Sequence, residues 1–247
     1  IYQLDNLDFE VTGKESVIAE LEVARAYWYY ILCEAFGNVP IVDRFDVPEG
    51  FLPETSSREE VFAFIENSIK NNVDKLSDDT KTYYGRFNKW NAKMLLARLY
   101  LNAESWIGKN MYTECMALCT EIMNSNKYAL ENDYSAPFYA QNEGSQEIIF
   151  AYPADEVKTG STIYMALQKT LHPSNVKTFN LQTWLDNGVC AVPTFIDTYE
   201  EGDKRLPKTW RMGQQYGSDG SILYCTGLVP GWEGKPLIYT KEVSNLE

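Results

Sequence analysis

Residues 18–42 read IAELEVARAYWYYILCEAFGNVPIV, a dense apolar run closed by Gly37 and Pro40. Nearly every position from Val23 to Phe36 is apolar, and Tyr27, Trp28, Tyr29 and Tyr30 are four aromatics in succession. A helix apolar on all sides must be enclosed by other elements. The run is too short and too charged to span a bilayer, because Glu20, Glu22, Arg25 and Glu34 lie within it. It reads as the central helix of a packed domain. Thr12 and Glu15 have capping-box spacing at its start, and the glycine tolerates a left-handed cap at its end.

Outward from this helix, the sequence continues in helical units. Ser57-Arg58-Glu59-Glu60 is a second capping box, followed by a stripe of Val61, Ile65, Ile69, Val73 and Leu76 at half-buried helical spacing. Asn88 caps a third helix carrying Trp90, Ala92, Leu95, Leu96, Leu99 and Tyr100, which Gly108 ends. Asn110 opens a fourth, with Tyr112, Cys115, Met116, Cys119, Ile122 and Met123 expected to face inward. The third and fourth helices with their turn occupy about one tetratricopeptide-length unit of ~34 residues. Two antiparallel hairpins in succession are the expected body, with both Trp28 and Trp90 in its core.

The second half changes character. Residues 147–152 read EIIFAY, a strand candidate. A long polar stretch follows to Gly188, and loops of that length are often functional. Pro193 opens a short helix. Residues 222–225 and 237–240 are short strand candidates set among glycines. The expected fold class is mostly α: tetratricopeptide-like hairpins over residues 1–145, with an irregular, loop-rich, ligand-binding part and a few short strands over 146–247.

Composition narrows the function. The chain has 247 residues and a formal net charge of −13, which opposes nucleic acid and anionic membrane surfaces. Acidity leaves neutral ligands such as sugars open, and the 17 Tyr and 6 Trp point to a stacking surface. Five cysteines at irregular spacing form neither a disulfide framework nor a zinc site. No signal peptide, lipobox or transmembrane run is visible, and the ends of the sequence read as those of a fragment of a longer precursor.

Several segments together resemble the SusD/RagB family of nutrient-binding outer-membrane lipoproteins. These are Ala19-Glu20 with residues 25–30 (RAYWYY) and 36–42 (FGNVPIV), then residues 57–61 (SREEV), Gly85-Arg86-Phe87 leading into residues 92–101 (AKMLLARLYL), and residues 128–130 (YAL). Residues 147–150 (EIIF) and 193–200 (PTFIDTYE), with Asp203 to Leu206, follow in the family's order. The resemblance implies a surface protein that binds oligosaccharide or polysaccharide without cleaving it. It further implies delivery of the glycan to a SusC-like TonB-dependent transporter, and attachment to the outer membrane through an N-terminal lipid anchor absent from this chain. No cofactor or metal is implied.

Sugar capture uses aromatic faces with planar polar groups beside them. Trp184 is the leading candidate, in the long irregular stretch, and Trp232 follows in a glycine-rich turn. Trp210 and Tyr216, with Asn180 and Gln182 as polar neighbours, complete the expected set. Core packing is the competing reading for each taken singly. Arg25 is expected to pair with a nearby carboxylate, and Asp203 with Arg205. The single histidine, His172, has no partner motif for a triad. Clustered Asp197, Glu200, Glu201 and Asp203 read as a solvated acidic helix end ahead of a calcium site. Two other functions compete: a tetratricopeptide-like scaffold binding a peptide or protein, and a glycoside hydrolase with two carboxylates. The aromatic- and glycine-rich second half disfavours the scaffold. No carboxylate sits in a recognisable catalytic setting.

Overall fold

The computed structural model describes residues 1–153, 166–227 and 231–241. The chain divides into two compact units, one formed by Ile1–Asn132 with Ala136–Pro153 and the other by Asp133–Ser135 with the chain from Ala154 onward. The architecture is mostly helical, with a few very short strands.

The first unit contains α1 (Tyr2–Asp5), α2 (Lys14–Phe36), α3 (Arg58–Asn72), α4 (Lys89–Ile107) and α5 (Tyr112–Asn124). A two-residue antiparallel pair, β1 (Val39–Pro40) with β2 (Thr55–Ser56), joins α2 to α3. Polar contacts at the helix ends define the directions. Asn38, just past α2, accepts from the Arg58 backbone N–H that opens α3, at 2.9 Å, while Lys75 past α3 reaches Glu15 at the start of α2. Lys109 past α4 pairs with Glu59 in the first turn of α3, and Lys89 at the start of α4 pairs with Asp74. Tyr112 at the start of α5 donates to Glu104 near the end of α4, and Lys93 pairs with Glu121 across the other end. Each helix is therefore antiparallel to the next, as two successive hairpins require.

The core is a single apolar cluster. Ala19, Val23, Ala26, Tyr30 and Cys33 of α2 meet Val61, Phe62, Ile65 and Ile69 of α3 and Ala92, Leu95, Leu96, Leu99, Tyr100 and Ala103 of α4. The alanines let the backbones approach, and the larger residues fill the space opposite. Tyr100 donates to Glu66 at 2.7 Å within this packing. Burial, and then the Glu66 carboxylate, push its hydroxyl up to about 12, so it remains a donor.

Several local expectations are corrected. The Thr12–Glu15 capping box does not form: α2 starts at Lys14 behind Gly13, which sits in the left-handed region with no side-chain cap. The Ser57–Glu60 box forms in both directions, and Asn88 with Asn91 makes an equivalent box on α4. The α2 helix is not enclosed. Val17, Leu21, Trp28, Leu32 and Phe36 form an exposed stripe opposite the buried one, and Trp28 is 57% exposed. With 3.6 residues per turn, Trp28 points away from the Val23–Ala26–Tyr30 face. Trp90 is only half-buried, under the Lys93 ammonium. On α5, Tyr112, Met116 and Met123 face outward, leaving Ile122 as its one buried side chain.

The strand expected over residues 147–152 is absent. Reciprocal side-chain capping holds this stretch instead: Glu147 accepts from the Glu131 N–H, and Glu131 accepts from the Gln146 N–H, each at 3.0 Å. Its aromatics join a ring cluster, with Phe150 stacked on Phe87 at 4.8 Å and near Tyr27 at 5.7 Å. Ring packing, not a ladder, fixes its position. Gly85 lies beneath it at φ +74°, where an added Cβ would run into the Pro153 ring.

Among the described residues, no helix is long and apolar enough to cross a membrane.

Candidate functional site

The second unit is built from short pieces. It holds α6 (Ala166–Thr170), α7 (Val176–Phe179), α8 (Pro193–Ile196) and α9 (Arg205–Thr209), and the pair β3 (Gly213–Gln214) with β4 (Ile238–Tyr239). Bridges Tyr216–Ile222 and Tyr224–Pro236 extend the pairing. The expected strands over 222–225 and 237–240 are thus reduced to this small network.

Three buried residues lock it together. Gln215 N–H donates to the Leu237 carbonyl at 2.9 Å, Leu237 N–H to Leu223 at 2.8 Å, and Leu223 N–H to Gln215 at 3.0 Å. The result is a closed ring of backbone hydrogen bonds. The Gln214 side-chain amide nitrogen sits on this ring, 2.9, 3.2 and 3.4 Å from the carbonyl oxygens of Gln215, Leu237 and Leu223.

A polar chain ties residues 172–178 to this network. The His172 backbone N–H donates to the Tyr239 hydroxyl at 2.7 Å, which donates to Asn175 Oδ1 at 2.6 Å. Ser174 Oγ donates to the Tyr224 carbonyl and Thr178 Oγ1 to that of Tyr216. Arg211 Nε donates to Gln215 Oε1 at 3.0 Å. Such satisfied buried polar groups fix a specific arrangement where little apolar core is available.

An open cavity of about 520 Å³ lies against this scaffold. Its wall includes His172, Asn187, Trp232, Glu233, Lys235 and Tyr239. The volume falls within the roughly 300–1,000 Å³ of small-molecule sites. Trp232 is half-buried, with the Lys235 ammonium 5.1 Å from its ring centroid. His172 is 6% exposed, and its Nδ1 accepts from the Ser174 N–H at 3.1 Å. Burial pushes its pKa below the usual histidine value, which keeps the ring neutral near pH 7.

Of the residues expected to bind, Trp232 alone lines this cavity. Trp184 lies outside the lining, 53% exposed, with the Lys169 ammonium 5.4 Å from its ring centroid. It presents a flat face to solvent three residues before Asn187. Trp210 is half-buried, donates its indole N–H to Tyr199 at 3.0 Å, and meets Phe195 edge-on. Asn180 closes α7 at φ +51° and accepts from Ser218 Oγ. Tyr216 and Gln182 are exposed. His172, Asn187, Lys235 and Tyr239 join the wall from positions up to 67 residues apart in sequence, the separation of His172 and Tyr239; no spacing rule connects them. The aromatic-and-glycine context that marked Trp232 was the one legible signal.

Arg25 pairs with Glu22 and donates to the Asp43 carbonyl, and Arg205 forks onto Asp203. Asp197 is taken by Lys241. Among the described residues, no three His, Cys, Asp or Glu side chains converge on a metal-sized point.

Residues 3–101 match the model of a SusD-like family described as starch-binding and associating with the outer membrane. The starch-binding protein SusD of Bacteroides thetaiotaomicron is 30% identical over 156 residues, which cover 60% of this chain and 27% of that protein. A SusD superfamily structure from Bacteroides fragilis superposes with a TM-score of 0.71 at 16% identity, covering 90% of this chain and 50% of the other. A laminarin-binding SusD-like protein superposes at 0.54 and 22% identity, over 60% of this chain and 33% of that one. The chain thus spans between about a quarter and a half of the length of these relatives.

Proposed function

We propose that this chain, which resembles the SusD-like family over residues 3–101, captures oligosaccharide or polysaccharide at the outer surface of an outer membrane, without cleaving it, and passes it to a partner TonB-dependent transporter. The observation that carries the reading is the cavity of the second unit, where an aromatic face, Trp232, stands beside Asn187, Glu233 and Tyr239. A sugar presents an apolar ring face and a belt of hydroxyls. Stacking on an indole and hydrogen bonds with the Asn187 amide and to the Glu233 carboxylate match those two features. Trp184 supplies a second, exposed stacking face in the same unit. The starch- and laminarin-binding names of the relatives support the same class of ligand.

Non-catalytic capture is supported by the lining itself. Glycoside hydrolysis uses two carboxylates flanking the scissile bond, about 5–10 Å apart; Glu233 is the single carboxylate among the described lining residues. Anchoring by an N-terminal lipid and hand-over to a SusC-like transporter follow from the family as part of the same proposal.

The test is retention on insoluble polysaccharides and on a glycan array. The chain is expected to bind at least one glycan, with Trp232→Ala losing most of the affinity and Trp184→Ala part of it. Absence of binding to every glycan tried overturns the reading.

A further inference from the structure

We propose that the cavity of the second unit is selective for an acidic sugar, with the carboxylate of a uronic acid held by the side chains of His172 and Lys235; the proposal rests on the glycan-binding reading above.

Two groups in the wall can offer a ligand only donors. His172 Nδ1 already accepts from the Ser174 N–H, so the neutral ring carries its proton on Nε2. No described residue partners that Nε2–H, although the side chain is more than nine-tenths buried and lines the cavity. That N–H is therefore available to a ligand acceptor. Lys235 is the second group. Lys169, Lys208 and Lys241 of the same unit are each held by a carboxylate, whereas Lys177 and Lys204 are not, among the described residues, and line no part of the cavity. Lys235 forms no ion pair among the described residues, and its ammonium lies over Trp232.

A neutral sugar hydroxyl both donates and accepts, so it has no special match to two pure donors. A carboxylate is a pure acceptor. Moving it out of water is favourable only where both a charge and hydrogen bonds replace its hydration. Lys235 supplies the charge, and His172 supplies a directed N–H whose geometry is fixed from behind by Ser174. Trp232 then takes the ring face. Glu233, the one carboxylate in the described lining, accepts from ring hydroxyls. A cation without an ion-pair partner in the cavity lining favours an anionic group at that spot.

The experiment is calorimetric titration of the full chain at pH 7.5 with galacturonic acid and glucuronic acid oligosaccharides, and with neutral galactose and glucose oligosaccharides of equal length. The uronates are expected to bind at least tenfold more tightly. Lys235→Gln, at an exposed position where folding is not at stake, is expected to remove five- to tenfold from uronate affinity and leave neutral sugars unchanged. His172→Gln, verified as folded by circular dichroism, is expected to weaken uronates likewise. Equal affinity for acidic and neutral oligosaccharides, or uronate affinity untouched by Lys235→Gln, overturns this proposal and leaves the glycan-binding reading standing. No binding to any sugar overturns both.

Discussion

At the scale of single residues, Gln214 has the greatest structural leverage in the second unit. Its amide nitrogen reaches three carbonyl oxygens that themselves close a ring of backbone hydrogen bonds. Replacing Gln214 by Leu leaves those oxygens without the amide and is expected to cost about 1–3 kcal/mol in urea unfolding. His172 makes a pH-dependent prediction. Burial lowers its pKa in the folded chain, so the unfolded chain takes up a proton near pH 6.5 that the folded chain refuses. Stability from this group is full above about pH 6.5 and falls as pH drops below it. His172→Gln should flatten that slope below about pH 6.5, measured by denaturant midpoints across a pH series. Neither role was visible in sequence. In sequence His172 reads as a lone histidine with no triad partner, and nothing singles out Gln214.

At the scale of elements, helix starts separate real caps from apparent ones. Ser57 and Thr12 have the same spacing to a glutamate, yet only the Ser57 box closes. Gly13 takes the cap position in front of α2 and displaces Thr12 from it. Ser57→Ala is therefore expected to cost about 1 kcal/mol, and Thr12→Ala less than about 0.5 kcal/mol, by equilibrium unfolding. Gly85 is a second element-scale control. Its positive φ and the Pro153 ring against its missing Cβ lead us to expect a loss of about 1–3 kcal/mol for Gly85→Ala. The strand that residues 147–152 spell in isolation fails at this scale too. Its consecutive apolar residues find rings, Tyr27 and Phe87, before they find a ladder partner.

At the scale of the whole molecule, the lining of the cavity and the net charge make function-level predictions. With one carboxylate in the described lining, incubation of the chain with polysaccharide is expected to release no more reducing sugar than buffer alone; release that Glu233→Gln abolishes would instead point to a hydrolase. The exposed apolar stripe on α2 also belongs to this scale. The near-continuous apolar run from Val23 to Phe36 predicts enclosure on all sides, but burial is one-sided, with Trp28 and Phe36 open to solvent.

The sequence alone determined the helical body. Periodicity at 3.6 residues, glycine stops at Gly37 and Gly108, and the Ser57 and Asn88 caps are local signals, readable because each depends on neighbours a few residues away. It also carried a resemblance to a family, through ordered segments. Tertiary structure alone decided which face of α2 is buried, which capping box closes, and how the cavity is lined. Those outcomes depend on contacts such as His172 with Tyr239, whose partners lie far apart in the chain. In the second unit the elements are so short that no period develops, and hydrogen bonds between distant segments take over the work that helix propensity does in the first.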